Sequence, residues 1–290
     1  MLVTGKTHVY GIIGDPIEHS LSPVMHNAAF RELGIDSVYV PFRVPSRSLG
    51  NAVQGLRSQG VSGFNVTVPH KIEILKYLQR LDPLAQRIGA VNTVQNVNGK
   101  LVGYNTDATG AVEALRQNGV SLGSSTFTIL GAGGAARAIV FALAKISRRI
   151  VVLNRTLERA QSLKREVKRK AHRSIEIGQL TRKSLTKALL TTDVLANATS
   201  IGMGDNPGCL PIEKTDLKRD LIVFDIVYGE RETDLLRKAR RVGCRTISGT
   251  EMLLHQGAEA FRIWTGRRAP IGSMRDALLA AMEAKDDACC

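Results

Sequence analysis

Three observations predict an α/β fold with two domains. The chain has 290 residues, a length for which two domains are the usual expectation. Predicted strands and helices alternate along the chain, which is typical of parallel βαβ units. This alternation begins twice, at Val9 and again at Phe127, so each part of the chain is expected to form its own sheet.

The composition is that of a folded globular protein. Hydrophobic residues make up 43% and charged residues 23% of the chain, and the formal net charge is +14. The longest apolar run, Ala138–Ala144, is far shorter than the ~20 residues of a membrane-spanning helix. No signal-type segment opens the chain, so the sequence predicts neither membrane insertion nor secretion.

The cysteines and histidines show no pattern of a disulfide framework or a metal site. No CxxC pair and no HExxH or similar ligand spacing occurs. We therefore expect a reducing, cytoplasmic location and no bound metal. The four cysteines are Cys209, Cys244, Cys289 and Cys290.

The first α/β unit is predicted to end near Asp107. An Asn98-Gly99 pair lies between the apolar runs Val94–Val97 and Leu101–Tyr104, which is typical of a two-residue type I′ turn. An antiparallel hairpin is therefore expected to close the unit. The preceding strands and helices are expected at Val9–Ile13, about Pro23–Leu33 (helix), Ser37–Phe42, Ser46–Gln59 (helix) and Gly63–Val66.

The second unit restarts at Phe127 and continues to about Gly249. The chain beyond Gly249 contains helical segments only, and these are expected to pack on one of the two units. The expected strands are Phe127–Leu130, Ile150–Leu153, a segment near Val194, Leu221–Ile226 and Arg245–Ile247. The first expected helix ends at about Ile146, and the second begins at Thr156. Two more are expected at Met252–Trp264 and Arg275–Ala284.

A glycine-rich loop links the first strand of the second unit to its first helix. Residues 131–136 read Gly-Ala-Gly-Gly-Ala-Ala and fit the pattern G-x-G-x-x-A. Gly131 allows a tight turn, Gly133 lets backbone N–H groups approach a pyrophosphate, and Ala136 allows close packing of helix on strand. The loop therefore predicts dinucleotide binding, with a glycine-rich turn that holds no ligand as the alternative.

The end of the next strand distinguishes between the two dinucleotides. An NAD site places an Asp or Glu there, about 20 residues after the glycines. This chain has Asn154-Arg155-Thr156, followed by Arg159. A guanidinium pairs with a 2′-phosphate, which a carboxylate would repel, so NADP is the predicted cofactor and Arg155 and Arg159 its phosphate clamp. The alternative is that both are ordinary surface arginines.

Both arginines belong to a basic stretch. Residues 145–187 contain 14 Lys and Arg against three acidic residues. Such a stretch attracts a phosphorylated cofactor or nucleic acid, or it is a solvated helix face. No aromatic residue interrupts it, although single-stranded nucleic acid binding usually needs stacking aromatics. A nucleic-acid-binding protein is therefore kept only as the alternative from another class, and no nucleic-acid partner is expected.

Polar residues follow the strands of the first unit. Ser20 and Ser22 precede Pro23, and two hydroxyls at a helix N-terminus bind a carboxylate, although Ser22 could equally be a simple N-cap. Lys71 follows the third strand, and Asp107 could hold it and tune its proton affinity. The alternatives are a solvated lysine and, for Asp107, a helix cap.

The segment Asn197–Met203 follows a strand of the second unit and reads Asn-Ala-Thr-Ser-Ile-Gly-Met. Its size and polarity suit contact with a nicotinamide ribose. A turn-forming loop without a ligand is an equal alternative.

Nine motifs in this order resemble the shikimate dehydrogenase family. The matching region extends from Gly11 to about Gly266, and the motifs read GDPIEHSLSPVMHN, NVTVPHK, GAVNT, GYNTD, GAGGAARA, NRT, NATSIGM, DIVY and GTEMLLHQGAEAFRIWTG. The resemblance implies reversible, NADP-dependent reduction of 3-dehydroshikimate to shikimate in aromatic amino-acid (chorismate) biosynthesis. It also implies a Rossmann-type, doubly wound NADP domain, residues 108–248, inserted into a discontinuous substrate domain, residues 1–107 and 249–290.

The resemblance also implies roles for individual residues. Lys71 and Asp107 would be the catalytic pair. The substrate contacts would be Ser20, Ser22, Thr67, Asn92, Tyr228 and Gln256. The cofactor contacts would be Gly131, Gly133, Gly134, Ala135, Asn154, Arg155, Thr156, Arg159, Thr199, Ser200, Gly249 and Met252.

Two segments depart from the family pattern. Residues 228–231, Tyr-Gly-Glu-Arg, stand where family members often have Tyr-x-Pro, and the tail Asp286–Cys290, expected to fray, matches nothing in the family. The nearest alternative is a quinate or quinate/shikimate dehydrogenase. Ser22 in place of a threonine and the strand end at Asn154 favour shikimate with NADP. A small-molecule substrate is the expected partner, and the protein is expected to be a monomer or homodimer.

Overall fold

The computed structural model describes residues 2–202, 209–229 and 232–287, the last three of these by their backbone alone. The chain forms two compact units. The first unit runs to Gly110 and resumes at Leu253, and the second unit is Ala111–Met252. Both boundaries between the two units fall inside helices.

The first unit contains a six-stranded mixed sheet in the order β2-β1-β3-β5-β6-β4. Strand β1 pairs in parallel with β2 and β3, whereas β3, β5 and β6 are antiparallel neighbours. The elements up to residue 117 are β1 (His8–Gly14), α1 (Ser22–Glu32), β2 (Ser37–Arg43), α2 (Leu49–Ser58), β3 (Gly63–Val66), β4 (Arg80–Leu81), α3 (Pro83–Ile88), β5 (Thr93–Val97), β6 (Lys100–Tyr104) and α4 (Thr106–Gln117).

The predicted hairpin is confirmed by the turn between β5 and β6. Asn98 and Gly99 have φ angles of 50° and 78°, the left-handed values that a type I′ turn requires. The helix predicted from Ser46 is divided, because a short 3-10 helix, Ser46–Ser48, precedes α2. Leu49, Val53 and Leu56 of α2 are buried in one core cluster, as their i, i+4, i+7 spacing leads us to expect.

The second unit contains a six-stranded parallel sheet in the order β12-β11-β10-β7-β8-β9. The order reverses between β7 and β10, which is the doubly wound Rossmann arrangement, and ligands collect at such a reversal. Its elements are β7 (Thr126–Leu130), α5 (Gly134–Leu143), β8 (Arg149–Asn154), α6 (Leu157–Ala171), β9 (Glu176–Gln179), α7 (Arg182–Leu189), β10 (Val194–Asn197), β11 (Ile222–Asp225), α8 (Asp234–Val242) and β12 (Arg245–Ser248).

Two helices follow the second sheet, α9 (Gly249–Thr265) and α10 (Ile271–Asp287). Trp264 of α9 donates from Nε1 to the carbonyl of Val94 in β5 at 2.9 Å, and α10 packs on α1. The tail was expected to fray from Asp286, but the helix continues to Asp287, and 288–290 lie outside the described residues. Within the described ranges, no helix is long and apolar enough to cross a membrane.

Candidate functional site

Lys71 and Asp107 form an ion pair at one end of the first sheet. Lys71 follows the end of β3, and Asp107 lies in the first turn of α4. Nζ of Lys71 lies 2.7 Å from Oδ2 of Asp107, and the two side chains are 17% and 6% exposed. The pair is therefore largely shielded from water, which strengthens its attraction.

Asn92, directly before β5, fixes the carboxylate of this pair. Its Nδ2 donates to Oδ1 of Asp107 and to Oγ1 of Thr106, both at 2.9 Å, while its Oδ1 accepts from the Thr106 N–H at 2.7 Å. Gln256 of α9 lies 3.3 Å from the same Nδ2 through its Oε1. Asn92 and Gln256, both named from the sequence, are thus joined to the ion pair in one buried network.

The structure contradicts the alternative reading of Asp107 as a helix cap. Asn105 has that role, since its Oδ1 accepts from the Ala108 N–H at 3.2 Å, three residues ahead. Both oxygens of Asp107 are engaged by side chains from other elements instead.

Two residues of this network, Asn65 and Thr106, were not among the site residues predicted from the sequence. Asn65 of β3 is buried and donates to the Asn92 carbonyl at 3.1 Å and to Oγ1 of Thr93 at 3.0 Å, and it accepts from the Tyr39 hydroxyl at 2.7 Å. It locks the start of β5 to β3. The signal available in the sequence was an amide inside an otherwise apolar strand, which requires buried partners.

The loop between β1 and α1 carries the two serines. Ser22 is the first residue of α1 and is buried, whereas Ser20 is half-buried and its Oγ accepts from the Ser22 N–H at 3.4 Å. Leu21 occupies the N-cap position and no side chain caps the helix, so the reading of Ser22 as a plain N-cap is wrong. Among the described residues, the N-cap Leu21 offers no side-chain acceptor, and the Ser22 N–H has only the long 3.4 Å contact to Ser20, so this helix start suits a carboxylate.

Thr67 lies directly after β3 and is half-buried. The Asp15 N–H donates to the Val68 carbonyl at 3.0 Å, so the serine-bearing loop begins beside the strand end that carries Thr67. The first unit thus presents hydroxyls, amides and one ammonium at the ends of β1, β3 and β6.

In the second unit, the glycine loop joins β7 to α5. Gly131 has φ +108°, and a Cβ there would lie 2.7 Å from the Ala198 carbonyl oxygen, so only glycine fits. Gly133 is the N-cap of α5 and supplies no side-chain cap, and a Cβ placed on it would meet nothing within 4 Å. Gly134 and Ala135 open the helix, and Ala136 is fully buried. The free first-turn N–H groups and the open space fit a pyrophosphate.

The end of β8 fits the 2′-phosphate of NADP. Asn154 closes the strand and donates from Nδ2 to the Thr156 carbonyl at 2.7 Å. Arg155 and Arg159 are both exposed, and no ion pair among the described residues involves either of them. Their guanidinium groups are therefore available to an anion.

Buried polar residues support the loops after β10 and β11. Oδ1 of Asn197 accepts from the N–H of Thr199 at 3.1 Å and from its hydroxyl at 2.8 Å. Asp225 is fully buried, and burial raises the pKa of its carboxyl above the ordinary value. The half-buried Tyr228 follows in the next loop. Met203, Glu230 and Arg231, which belong to motifs singled out above, lie outside the described residues.

The first turn of α9 contains the last two residues named for the cofactor. A Cβ on Gly249 would collide with the Ile226 carbonyl, so glycine is needed where this helix starts beside the end of β11. Met252 is 5% exposed. Ser200, which follows Thr199, is exposed. No cluster of His, Cys, Asp or Glu suited to a metal ion occurs in the part of the chain that the structure describes.

Three family models match the chain. The model of the shikimate dehydrogenase substrate binding domain matches residues 12–94. The shikimate / quinate 5-dehydrogenase model matches residues 113–203, and the shikimate 5′-dehydrogenase C-terminal domain matches residues 249–279.

Individual proteins are similar over nearly the whole length. The chain is 45% identical to the shikimate dehydrogenase (NADP(+)) of Methanocaldococcus jannaschii, over 96% of this chain and 98% of that protein. A crystal structure of a shikimate dehydrogenase in complex with NADP+ is 42% identical, with 97% and 98% of the two chains covered and a TM-score of 0.91. A shikimate 5-dehydrogenase of Thermus thermophilus, solved with NADP(H) and shikimate, is 36% identical, with 95% and 100% covered and a TM-score of 0.84.

Proposed function

This chain belongs to the shikimate dehydrogenase family and catalyses the NADPH-dependent reduction of 3-dehydroshikimate to shikimate, and on that premise we propose that Lys71 and Asp107 are its catalytic pair. The observation that carries the proposal is the shielded 2.7 Å ion pair, held by Asn92 at the strand ends of the first unit.

Proton transfer at the ketone oxygen is the step assigned to Lys71. When bound, NADPH supplies the hydride that reduces the ring ketone. Negative charge develops on the ketone oxygen during reduction, so a proton donor placed at that oxygen lowers the barrier. The Lys71 ammonium is that donor, and in the reverse direction its neutral amine accepts the hydroxyl proton. Asp107 keeps Nζ oriented, and Asn92 in turn prevents the carboxylate from rotating away.

Substrate anchoring is assigned to the polar residues around this pair. Ser20 and Ser22 bind the substrate carboxylate, and Thr67, Asn92 and Gln256 contact its ring hydroxyls and carboxylate. Support comes from the start of α1, whose N-cap residue Leu21 makes no side-chain hydrogen bond to another described residue, and from the buried amides of Asn92 and Gln256. Tyr228 is the one proposed substrate contact that belongs to the second unit.

NADP binding is assigned to the second unit. The pyrophosphate is held by backbone N–H groups of the glycine loop, and the 2′-phosphate by the clamp named above. The cofactor contacts are Gly131, Gly133, Gly134, Ala135, Asn154, Arg155, Thr156, Arg159, Thr199, Ser200, Gly249 and Met252. We accordingly assign residues 108–248 as the NADP domain and residues 1–107 with 249–290 as the substrate domain.

Three further assignments are proposals of the same kind. The protein works on a small-molecule substrate without nucleic acid, is a monomer or homodimer, and is located in the cytoplasm. Support comes from the small ligands named with its relatives and from the absence of aromatic residues in the basic stretch 145–187. Light scattering of the purified chain measures the oligomeric state, and retention on heparin that persists at high salt would argue for nucleic-acid binding.

The test of the catalytic pair is the variant Lys71→Met. Methionine keeps much of the length and apolar volume of lysine but has no ammonium, so turnover should fall about 10²–10⁴-fold with NADP affinity unchanged. Lys76→Met is the matched control, because Lys76 is exposed and its one ion pair within the described ranges is with the nearby Glu73. If Lys71→Met retains turnover within a few-fold while the shikimate KM rises, Lys71 is a binding group and the donor is Asp107 or a water that it holds.

A second assay separates the family's activities. Steady-state rates are measured with shikimate and with quinate, each offered with NADP and with NAD. The highest kcat/KM should belong to shikimate with NADP. A higher value for quinate would make the protein a quinate dehydrogenase of the same fold.

A further inference from the structure

Asp225 is a fully buried carboxylate at the end of β11 that the proposed mechanism does not use. Its Oδ1 accepts from Nδ2 of Asn197 at 2.9 Å and from the Val227 N–H at 3.1 Å. Its Oδ2 accepts from the Thr233 hydroxyl at 2.7 Å. Three donors thus converge on one carboxylate at the carboxyl end of β11. Ligands of open α/β sheets collect at the carboxyl ends of the strands.

The first donor leads to the loop after β10. Asn197 and Asp225 are register partners in the parallel pair β10–β11, so their side chains end the two strands side by side. With its Nδ2 held by Asp225, Asn197 presents Oδ1 to both the N–H and the hydroxyl of Thr199. The conformation of the Thr199 loop therefore depends on how Asn197 is oriented.

The other donors lead to the loop after β11 and to α8. The Val227 N–H is the backbone group directly before Tyr228, and Asp225 restrains it. Thr233 caps α8, because its Oγ1 accepts from the Leu236 N–H at 3.3 Å. One side chain therefore joins the starts of two loops and of one helix.

Stability alone is a weak reason for a carboxylate in this position. Burial of a charge is costly, and apolar residues of similar size often serve stability as well. A carboxylate instead offers two fixed oxygens that accept several bonds in a defined geometry, which an apolar side chain cannot do.

We propose that Asp225 is a positioning residue of the reaction: through Asn197 and the Val227 N–H it sets the loops that carry Thr199 and Tyr228. This inference rests on the proposed function, which assigns Thr199 to the cofactor and Tyr228 to the substrate. Small displacements of contacts at the reacting groups reduce turnover strongly, because orientation provides much of the rate enhancement.

The test compares Asp225→Ala with Asp225→Asn. Alanine removes the acceptor from all three donors, so kcat should fall about tenfold or more, while the NADP-to-NAD preference, which depends on residues near Asn154, stays within about twofold. Asparagine can turn its one oxygen to Asn197 and Val227, which both approach Oδ1, so it should recover most of that loss. Equal losses in both variants would overturn the proposal, since position would then not be what Asp225 supplies.

A control separates positioning from stability. Thr128→Val removes the buried 2.6 Å hydrogen bond between Thr128 of β7 and Thr192, which lies between α7 and β10 and not in the loops after β10 and β11. Its melting temperature should fall, but its kcat, measured well below the transition, should match that of the parent. If Asp225→Ala behaves in the same way as Thr128→Val, Asp225 is a structural residue only.

One further variant, Asn197→Ala, keeps the proposal testable if Asp225→Ala does not fold. Asn197→Ala removes the acceptor of Thr199 while Asp225 keeps Val227 and Thr233, and kcat should again fall about tenfold. An unchanged kcat in a folded Asn197→Ala variant would overturn the proposal.

Thr199→Val and Tyr228→Phe test the proposed function separately. If these two variants lower activity and Asp225→Ala does not, the inference on Asp225 fails and the proposed function stands. Unchanged kinetics in both variants would instead contradict the assignment of Thr199 to the cofactor and of Tyr228 to the substrate.

Discussion

Nδ2 of Asn92 donates to Oδ1 of Asp107 at 2.9 Å, which leaves Oδ2 of the same carboxylate to Lys71 at 2.7 Å. The carboxylate is thereby held from both sides, and each of its oxygens has a separate task. Any change at Asp107 is expected to alter the placement of the Lys71 ammonium as well as its charge environment.

The variant Asp107→Asn tests this coupling. An amide in this position has only one acceptor oxygen, so it cannot satisfy both Asn92 and Lys71, and turnover should fall by at least tenfold. The double variant Asp107→Asn/Lys71→Met should lose less than the product of the two single losses, because residues that act as a unit are not additive. Strictly multiplicative losses in steady-state kinetics would show that the two residues act independently.

The variant Arg155→Ala tests cofactor selection. A charge-assisted contact to the 2′-phosphate contributes about 1.5–3 kcal/mol, so the KM for NADP should rise about tenfold or more while NAD binding barely changes. Arg165→Ala on the exposed face of α6 is a control in the same basic stretch. Equal losses for NADP and NAD would show that Arg155 supports the fold and does not contact the phosphate.

The double variant Ser20→Ala/Ser22→Ala tests carboxylate binding in the first unit. Loss of both hydroxyls should raise the Kd for shikimate about tenfold or more and leave NADP affinity nearly intact, because the two ligands are assigned to different units. Isothermal titration with each ligand measures this. Unaltered shikimate affinity would remove both serines from the binding site.

His26 makes the first unit sensitive to acid. Its ring is fully buried and stacks on Tyr39 with centroids 4.5 Å apart, and neither nitrogen has a hydrogen-bond partner among the residues that the structure describes. Burial lowers the pKa of His26 from 6.5 to about 3. As pH falls below about 6.5, the unfolded chain takes up this proton and the folded chain does not. The contribution of neutral His26 to the free energy of unfolding is therefore fully present above pH 6.5 and is lost progressively down to about pH 3.

The variant His26→Phe should reduce that loss. Phenylalanine keeps an aromatic ring and cannot be protonated, so the slope of unfolding free energy against pH, between pH 4 and 6, should decrease by about 1.4 kcal/mol per pH unit. Urea unfolding followed by circular dichroism gives the slope, with the exposed His19→Gln as control. A slope equal to that of the parent would mean that His26 becomes protonated in the folded protein.

Elements with strong local patterns could be predicted closely. Strand β3 has the predicted bounds, Gly63–Val66, and the Asn98-Gly99 turn forms as expected, because apolar runs and turn residues act locally. Strand β9, Glu176–Gln179, was missed, since this edge strand contains only one large apolar residue, Ile177. Its formation depends on pairing with β8, which no local pattern shows.

The residues of the candidate site also differ in how far the sequence could predict them. The positions of Lys71 and Asp107 beside strand ends were predictable, because the ends of strands in open α/β sheets collect functional residues. The network of Asn197 and Asp225 was not predictable, since it requires the register of β10 against β11, and that register is decided by packing across the whole sheet. The motifs that contain Asn197 and Asp225 were recognised in the sequence, but neither residue was named for the site and nothing indicated that the two side chains touch.

The hydrogen bond from Trp264 to the Val94 carbonyl has a practical consequence. Trp264 is the only tryptophan of the chain, and it packs in the first unit close to Tyr10 and Tyr39. Its fluorescence therefore reports the melting of one half of the molecule only. A comparison of this emission with a signal that averages over the whole backbone would reveal, without any label, whether the two halves unfold together or in succession.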